Sequence, residues 1–218
     1  MDIFRSTTHL LLIVIYVCLL QCSEMASQPS EAARPKLIVF DLDTTLWPFW
    51  VDTHVLPPFR KRNGDIFDRR GKKVVPYPEV LEVMEWLHSE GFLMAAASRT
   101  TETRGARQLI ALFGWDKYLK FMEIYPGIKT AHFAQIQKQS NIPLSEMLFF
   151  DDERKNIRDL TQLGVVSVLV CKLTGITMQV VKDGLAEFAA RRHEGHLHDK
   201  KRQNAIENTV CKTKNRRK

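Results

Sequence analysis

Between Lys36 and Arg191 short apolar runs alternate with stretches of amphipathic spacing. Leu37–Asp41 reads LIVFD, four apolar residues closed by an acid, with Pro35 just ahead. So short and continuous a run predicts a strand buried on both faces, as in a parallel sheet. Pro78 opens a helix in which Val80, Leu81, Val83, Met84 and Leu87 keep helical spacing, and Gly91 stops it. Phe92–Ala97 (FLMAAA) reads as the next buried strand and Thr101–Phe113 as the next helix, ended by Gly114. Phe121–Tyr125 is a weaker strand pattern, followed by a helix over Lys129–Ser140. Met147–Phe150 (MLFF) predicts a further buried strand, Glu153–Leu163 a helix, Val165–Val170 a strand and Thr177–Ala190 the last helix. Such alternation predicts an α/β fold: a doubly wound, mainly parallel sheet with helices on both faces.

One stretch breaks the alternation. Trp47–Tyr77 carries Asn63-Gly64 and Arg70-Gly71 turn signals between short apolar–polar stretches. It predicts one or two hairpins inserted after the first strand, a small flap over the rim rather than a cap domain. Trp47, Phe49 and Trp50 at its start serve equally well as core.

In parallel α/β sheets ligands sit beyond the C-terminal ends of the strands. Three apolar strands here run into Asp41, Ser98 and Asp151-Asp152. One such residue is an ordinary loop start or helix cap; three on one rim, two of them acidic, make a site. Asp41-Leu42-Asp43 places two carboxylates two residues apart. Continued extension would put both on one face, whereas a turn aims one at a ligand and lets the other swing. Clustered carboxylates repel unless a hard cation lies between them, and few, oxygen-only ligands suit Mg²⁺. Mg²⁺ on carboxylates in turn accompanies phosphate. Ser98 and Arg99 offer donors, and Lys129 offers a cation at a helix start after Pro126-Gly127. These are parts for phosphoryl transfer to an aspartate.

Composition changes this picture little. The 218 residues are 44% hydrophobic and 26% charged, which excludes wholesale disorder, collagen and a disulfide scaffold. The net charge of +7 resides wholly in Arg191–Lys218, so the rest sums to zero and basicity is assigned to a tail, not to a binding face of the body. Of Cys18, Cys22, Cys171 and Cys211 only Cys171 falls in the body, so no internal bridge is expected. The expected organisation is an apolar leader and polar arm over 1–34, a catalytic domain over 35–190 with its flap at about 47–77, and a basic tail over 191–218 expected to be disordered, with His193, His196 and His198 as solvated side chains. Leu10–Leu20 is eleven residues long, too short for a membrane span of about 20. It fits a signal-peptide core, which would give a secretory protein; with Met25 as the start, the expectation preferred here, the protein is cytoplasmic.

The segments FDLDTTLW, AAASRT, the lysine of YPGIKTAHF and FFDDERKN resemble the four motifs of haloacid-dehalogenase-type phosphatases, in the same order and at strand ends. The likeness is closer to the small eukaryotic magnesium-dependent phosphatase 1 family, through DLDTTLWPFWVDTH, DRRG, AAASRT and EIYPGIKTAHF. It covers about Pro35 to Ala190. Thr44 departs from it, since that family usually has Tyr there. The resemblance implies a Rossmann-type three-layer sandwich without a large cap. It implies Asp41 as nucleophile, forming an aspartyl-phosphate, and Asp43 as acid and then base. It implies Mg²⁺ held by the Asp41 side chain, the Asp43 backbone carbonyl and one carboxylate of the Asp151-Asp152 pair, with Asp152 favoured and Asp151 the alternative. The backbone N–H groups of Leu42 and Asp43, with Ser98, Arg99 and Lys129, would cradle phosphate. Asp52, His54, Asp68 and Arg69 on the flap are weaker substrate contacts. The implied activity is a Mg²⁺-dependent phosphomonoesterase, with phosphotyrosine proteins or fructosamine phosphates as substrate classes. No stable nucleic-acid partner is expected, a membrane enters only if the leader is retained, and the expected state is a monomer. A receiver-type phosphoacceptor switch is disfavoured by the reversed order of its acids, and a silent scaffold by the intact set of catalytic positions.

Overall fold

A computed structural model describes residues Arg34–Arg192. The leader at Leu10–Leu20, the Met25 arm and the tail histidines lie outside them. Five strands form one parallel sheet: β1 (Leu37–Phe40), β5 (Leu93–Ser98), β6 (Leu119–Ile124), β7 (Met147–Asp151) and β8 (Val166–Leu169), in the spatial order β6-β5-β1-β7-β8. β1 lies at the centre, and all four of its side chains are fully buried. This is why its sequence is uninterruptedly apolar rather than alternating.

Alternation along β1 sorts the core into two layers. Ile38 and Phe40 face α1 (Val80–Ser89), α2 (Thr103–Phe113) and the C-terminal helix α5 (178–192). Leu37 and Val39 face α3 (Lys129–Ser140) and α4 (Arg154–Thr161), through Phe133, Ile136 and Leu160. The expected helices on both faces are therefore present. The weak strand pattern near Phe121 is the edge strand β6, whose central residues are only half-buried. Partial burial explains the faint signal.

The flap is a separate three-stranded antiparallel sheet of β2 (Arg60–Arg62), β3 (Asp65–Phe67) and β4 (Lys73–Val74). Asn63 and Gly64 both take positive φ, 50° and 89°, the two-residue turn that matches hairpin twist. The base of the flap is fixed by Trp47. Its ring is fully buried, stacked on Trp115 at 5.8 Å and on Phe49 at 5.7 Å. Trp50, by contrast, is 46% exposed. No helix among the described residues is long and apolar enough to cross a membrane.

Candidate active site

The C-terminal ends of β1, β5 and β7 meet at an open cleft of about 320 Å³, lined by Asp41, Asp43, Ser98, Arg99, Lys129 and Asp152, with Trp50, Asp52 and Thr53 on the flap side. β1 ends because the chain turns sharply. The Leu42 carbonyl accepts from the N–H groups of Thr45 at 3.2 Å and Leu46 at 2.8 Å, and Thr44 N–H donates to Trp47 O at 2.8 Å. Thr44 holds this turn at φ +56°, a region β-branched residues rarely occupy. Leu42 is buried in the core, so only its backbone is available at the rim. Among the described residues no protein group accepts from the Leu42 or Asp43 N–H.

Lys129 is the hub. It opens α3 yet is only 3% exposed, and its Nζ donates to Asp41 Oδ1 and to the Ala97 carbonyl. Asp151 Oδ2 lies 3.2 Å away on the other side. Burial alone would drive the proton off this amine; the two carboxylates outweigh it and raise its affinity for the proton. Burial pushes the Asp41 carboxyl well up, against the pull of Lys129 and with a further push from Asp151. The loop before Lys129 is clamped from beneath by His132, fully buried, whose ring nitrogens lie 2.9 Å from Ile128 O and 2.8 Å from Tyr125 O.

Asp43 is held apart from this group. Its Oδ1 accepts from the indole N–H of Trp47 at 2.7 Å and from Val51 N–H at 3.4 Å. Burial pushes its carboxyl up to about 6, against those two hydrogen bonds. An acid with that affinity carries its proton in part of the population near neutral pH, as a group that alternates between donor and acceptor must.

Asp41, Asp151 and Asp152 bring carboxylate oxygens within 4.8 Å of one another. Three buried acids against Lys129 and the half-exposed Lys172 still leave an excess of negative charge in an all-oxygen donor set, which fits a hard divalent cation. The two neighbouring aspartates differ. Asp151 is fully buried and its oxygens accept from Glu153 N–H at 2.7 Å and from Asn156 Nδ2 at 3.1 and 3.0 Å. Asp152 lines the cleft, and its Oδ2 pairs with Lys172 Nζ at 2.9 Å. Asn156, Lys172, His132 and the Trp47 indole were not singled out from sequence. The Lys172–Asp152 contact spans 20 residues, whereas those of Trp47, His132 and Asn156 span four to seven, and Asn156, one helical turn beyond the acidic pair, lay within reach of i, i+4 reasoning.

Arg99 lines the cleft, with its guanidinium on Gly127 O and Glu153, both at 2.9 Å. Three of the flap candidates need correction. His54 stacks on Trp50 at 5.5 Å and takes its N–H at 3.0 Å, behind the cleft wall. Asp68 and Arg69 do not line the cleft. Asp68 accepts from the N–H groups of Arg70 and Lys72 at 2.9 Å and Leu56 at 3.2 Å, which shapes the flap turn. Of the four flap candidates only Asp52 reaches the site, fixed by Thr101 Oγ1 at 2.9 Å. The body is also not free of a basic face: residues 60–73 hold seven Lys/Arg against two Asp.

Among solved structures, a haloacid-dehalogenase-superfamily hydrolase from Ehrlichia chaffeensis superposes with a TM-score of 0.52 at 11% identity, over 71% of this chain and 98% of that one. The phosphatase domain of a Bacteroides fragilis protein, solved with Mg, superposes with a TM-score of 0.51 at 17% identity, over 72% of this chain and 41% of that one. The fold is thus that of the haloacid-dehalogenase-type hydrolases. The sequence model of the Acid Phosphatase family matches residues 33–191. Human magnesium-dependent phosphatase 1 is 53% identical over 159 residues, 72% of this chain and 89% of the human protein. A haloacid-dehalogenase-like hydrolase superfamily protein of Schizosaccharomyces pombe is 35% identical, over 60% of this chain and 83% of that protein. The chain belongs to this family of haloacid-dehalogenase-type, magnesium-dependent phosphatases.

Proposed function

We propose that the chain hydrolyses phosphomonoesters by way of a phosphate ester on Asp41, with Mg²⁺ as its cofactor. The observation that carries this reading is the buried Asp41 carboxylate, paired with Lys129 at the floor of an open cleft, with a second acid two residues on and held separately. Asp41 attacks phosphorus and the bond to the leaving oxygen breaks, while Asp43 gives that oxygen its proton. Asp43 then takes a proton from water, whose oxygen displaces Asp41 and releases inorganic phosphate. The N–H groups of Leu42 and Asp43, with Ser98 and Lys129, receive the charge on the transferring group. Asp41, Asp152 and the Asp43 backbone carbonyl would hold the metal, with Asp151 braced behind. A bound Mg²⁺ supplies positive charge to the phosphoryl oxygens and offsets repulsion between phosphate and carboxylates.

For substrate we favour aryl phosphates, phosphotyrosine included. The cleft is shallow and its one large apolar wall is Trp50, a flat and half-exposed ring suited to stacking. Phosphorylated sugar adducts on amines would meet the same phosphate cradle without using that ring. The cytoplasmic assignment rests on Cys171, a free cysteine without a partner in the body. The test is turnover of para-nitrophenyl phosphate by the full chain, with Mg²⁺ or EDTA, beside Asp41→Asn. Turnover that requires the metal and vanishes in the variant supports the reading. Metal-independent turnover, or an active variant, sinks it.

A further inference from the structure

The flap carries a second recess, about 620 Å³ in volume, that shares no residue with the catalytic cleft. Its walls are Arg60, Arg62, Arg69 and Arg70, with Asp65 and Phe67 between them. Strand geometry explains the grouping. Pairing places Arg60 opposite Phe67 and Arg62 opposite Asp65, so these four side chains share one face of the small sheet. Lys61 sits opposite Ile66, which is buried with Val74 on the other face. The fold thus places Arg60 and Arg62 on the outer face and Ile66 and Val74 on the inner one.

The charge on that outer face is not cancelled locally. Asp65 is already paired with Lys73 at 2.9 Å. Asp68 is spent on three backbone N–H groups. Among the described residues none of the four guanidiniums has an ion-pair partner. Guanidinium forks match planar carboxylates in pairs. The first strand of this sheet is an edge whose three residues are all cationic and exposed. Such an edge repels a second copy of itself and admits an acidic segment. The recess holds two carboxylates and one half-buried aromatic ring, Phe67. A nucleic-acid strand asks instead for exposed rings on which bases stack.

The flap is also fastened to the wall of the catalytic cleft. Lys72 Nζ donates to His54 O at 3.1 Å, Asp68 accepts from Leu56 N–H, and Arg69 N–H donates to Leu56 O at 2.8 Å. Those contacts join the flap turn to the segment that carries Trp50, Asp52 and Thr53.

We propose that this recess is a docking site for acidic peptide segments that flank the phosphorylated residue of a protein substrate. The inference rests on the phosphatase reading above and adds the substrate class: phosphoproteins with Asp or Glu near the phosphorylated side chain. Exposed ion pairs are individually weak, so four arginines acting together correspond to about a 5- to 20-fold preference at low salt. The preference declines as salt shortens the screening length.

The experiment uses the full chain and an Arg60→Ala/Arg62→Ala variant, both of which keep the basic tail. First, kcat/KM is measured for two phosphotyrosine peptides that differ only in Glu or Gln flanks, with para-nitrophenyl phosphate as a substrate too small to span the catalytic cleft and the arginine recess. Second, fluorescence anisotropy follows binding of the unphosphorylated Glu peptide. The expected result is a Glu preference and measurable Glu-peptide binding, both reduced in the variant, with para-nitrophenyl phosphate turnover unchanged. Equal kcat/KM for the two peptides, or a preference that survives in the variant, overturns the proposal. Tighter, variant-sensitive binding of a single-stranded RNA than of the Glu peptide overturns it in favour of nucleic acid. Loss of all turnover with variant-sensitive peptide binding intact removes the phosphatase reading alone and leaves the acidic docking site standing.

Discussion

At the rim of the parallel sheet Lys129 is 3% exposed and divides its charge between Asp41 and Asp151. On the flap four guanidiniums project into solvent with no acidic partner among the described residues. Both regions are cationic features beside a recess, but they answer different physical demands. A buried charge must be paired, so the rim reaches its geometry through contacts from β1, β5, β7 and α3 at once. A solvated charge needs no partner to fold, so the flap can keep its arginines for a ligand. Buried charge thus reports how the chemistry is built, and solvated charge reports what it can receive.

The comparison predicts its largest effect at Lys129. Lys129→Met strands two buried carboxylates, so unfolding in denaturant with EDTA should show a loss of about 3–5 kcal/mol. Turnover should fall at least about a thousandfold, as when one member of an interdependent catalytic set is removed. Arg62→Met, an equal change of charge on the flap, should leave stability in place. If the two variants were equally stable, the distinction between buried and solvated charge would collapse.

Metal removal comes next. A cation that binds only the folded rim adds about 2.7 kcal/mol at 100 times its Kd. A thermal scan should therefore show Tm rising with Mg²⁺ and falling with EDTA, and Asp152→Asn should flatten that response. On the flap, Asp68→Ala leaves three N–H donors unmet and should cost about 1–3 kcal/mol. Burial pushes this carboxyl up, but the N–H groups of Lys72, Arg70 and Leu56 prevail and hold it below the usual carboxylate range. The unfolded chain therefore binds the proton more readily. The contribution of Asp68 is complete above the ordinary carboxylate range and is lost as pH falls through its folded value. The stability gap between wild type and variant should accordingly close in acid.

Two smaller effects sharpen the picture. Trp50→Ala should lower kcat/KM for an aryl phosphate by about 3- to 10-fold, in line with one lost aromatic contact. A simple alkyl phosphate should be unaffected, and a uniform loss on both would mean that Trp50 shapes the cleft rather than contacts the ring. Thr44→Gly relieves a left-handed conformation and should raise stability by about 1 kcal/mol. A decrease would show that the Thr44 side chain repays its backbone strain elsewhere.

Much of the rim was legible in the residues themselves. LIVFD, FLMAAAS and MLFFDD are apolar runs that stop at polar residues, and β1, β5 and β7 end at those positions. A buried parallel strand admits few polar residues until it reaches the surface, so the stopping point is readable. Asn63-Gly64 likewise announced its hairpin. What lay beyond reach was side-chain pairing set by the turn geometry and by distant elements. The Trp47 indole meets Asp43, four residues back, only because the chain turns sharply after β1, and Lys172 reaches Asp152 from beyond β8. The flap charge escaped for a different reason. The chain outside the tail sums to zero, and that sum conceals seven cations placed within fourteen residues and an acidic remainder elsewhere. Only the β2–β3 register shows that Arg60 and Arg62 share a face.

Lys129 touches the end of β1 through Asp41, β5 through the Ala97 carbonyl and β7 through Asp151. Those three strands are adjacent in space but separated along the chain by α1, the flap and two further helices. The amine therefore has no complete set of partners in any fragment or partly assembled intermediate. During refolding, catalytic activity should be the last signal to return, after helical content and after compaction. A stopped-flow assay of hydrolysis would thus time the closing of the whole central sheet, using one lysine as the clock.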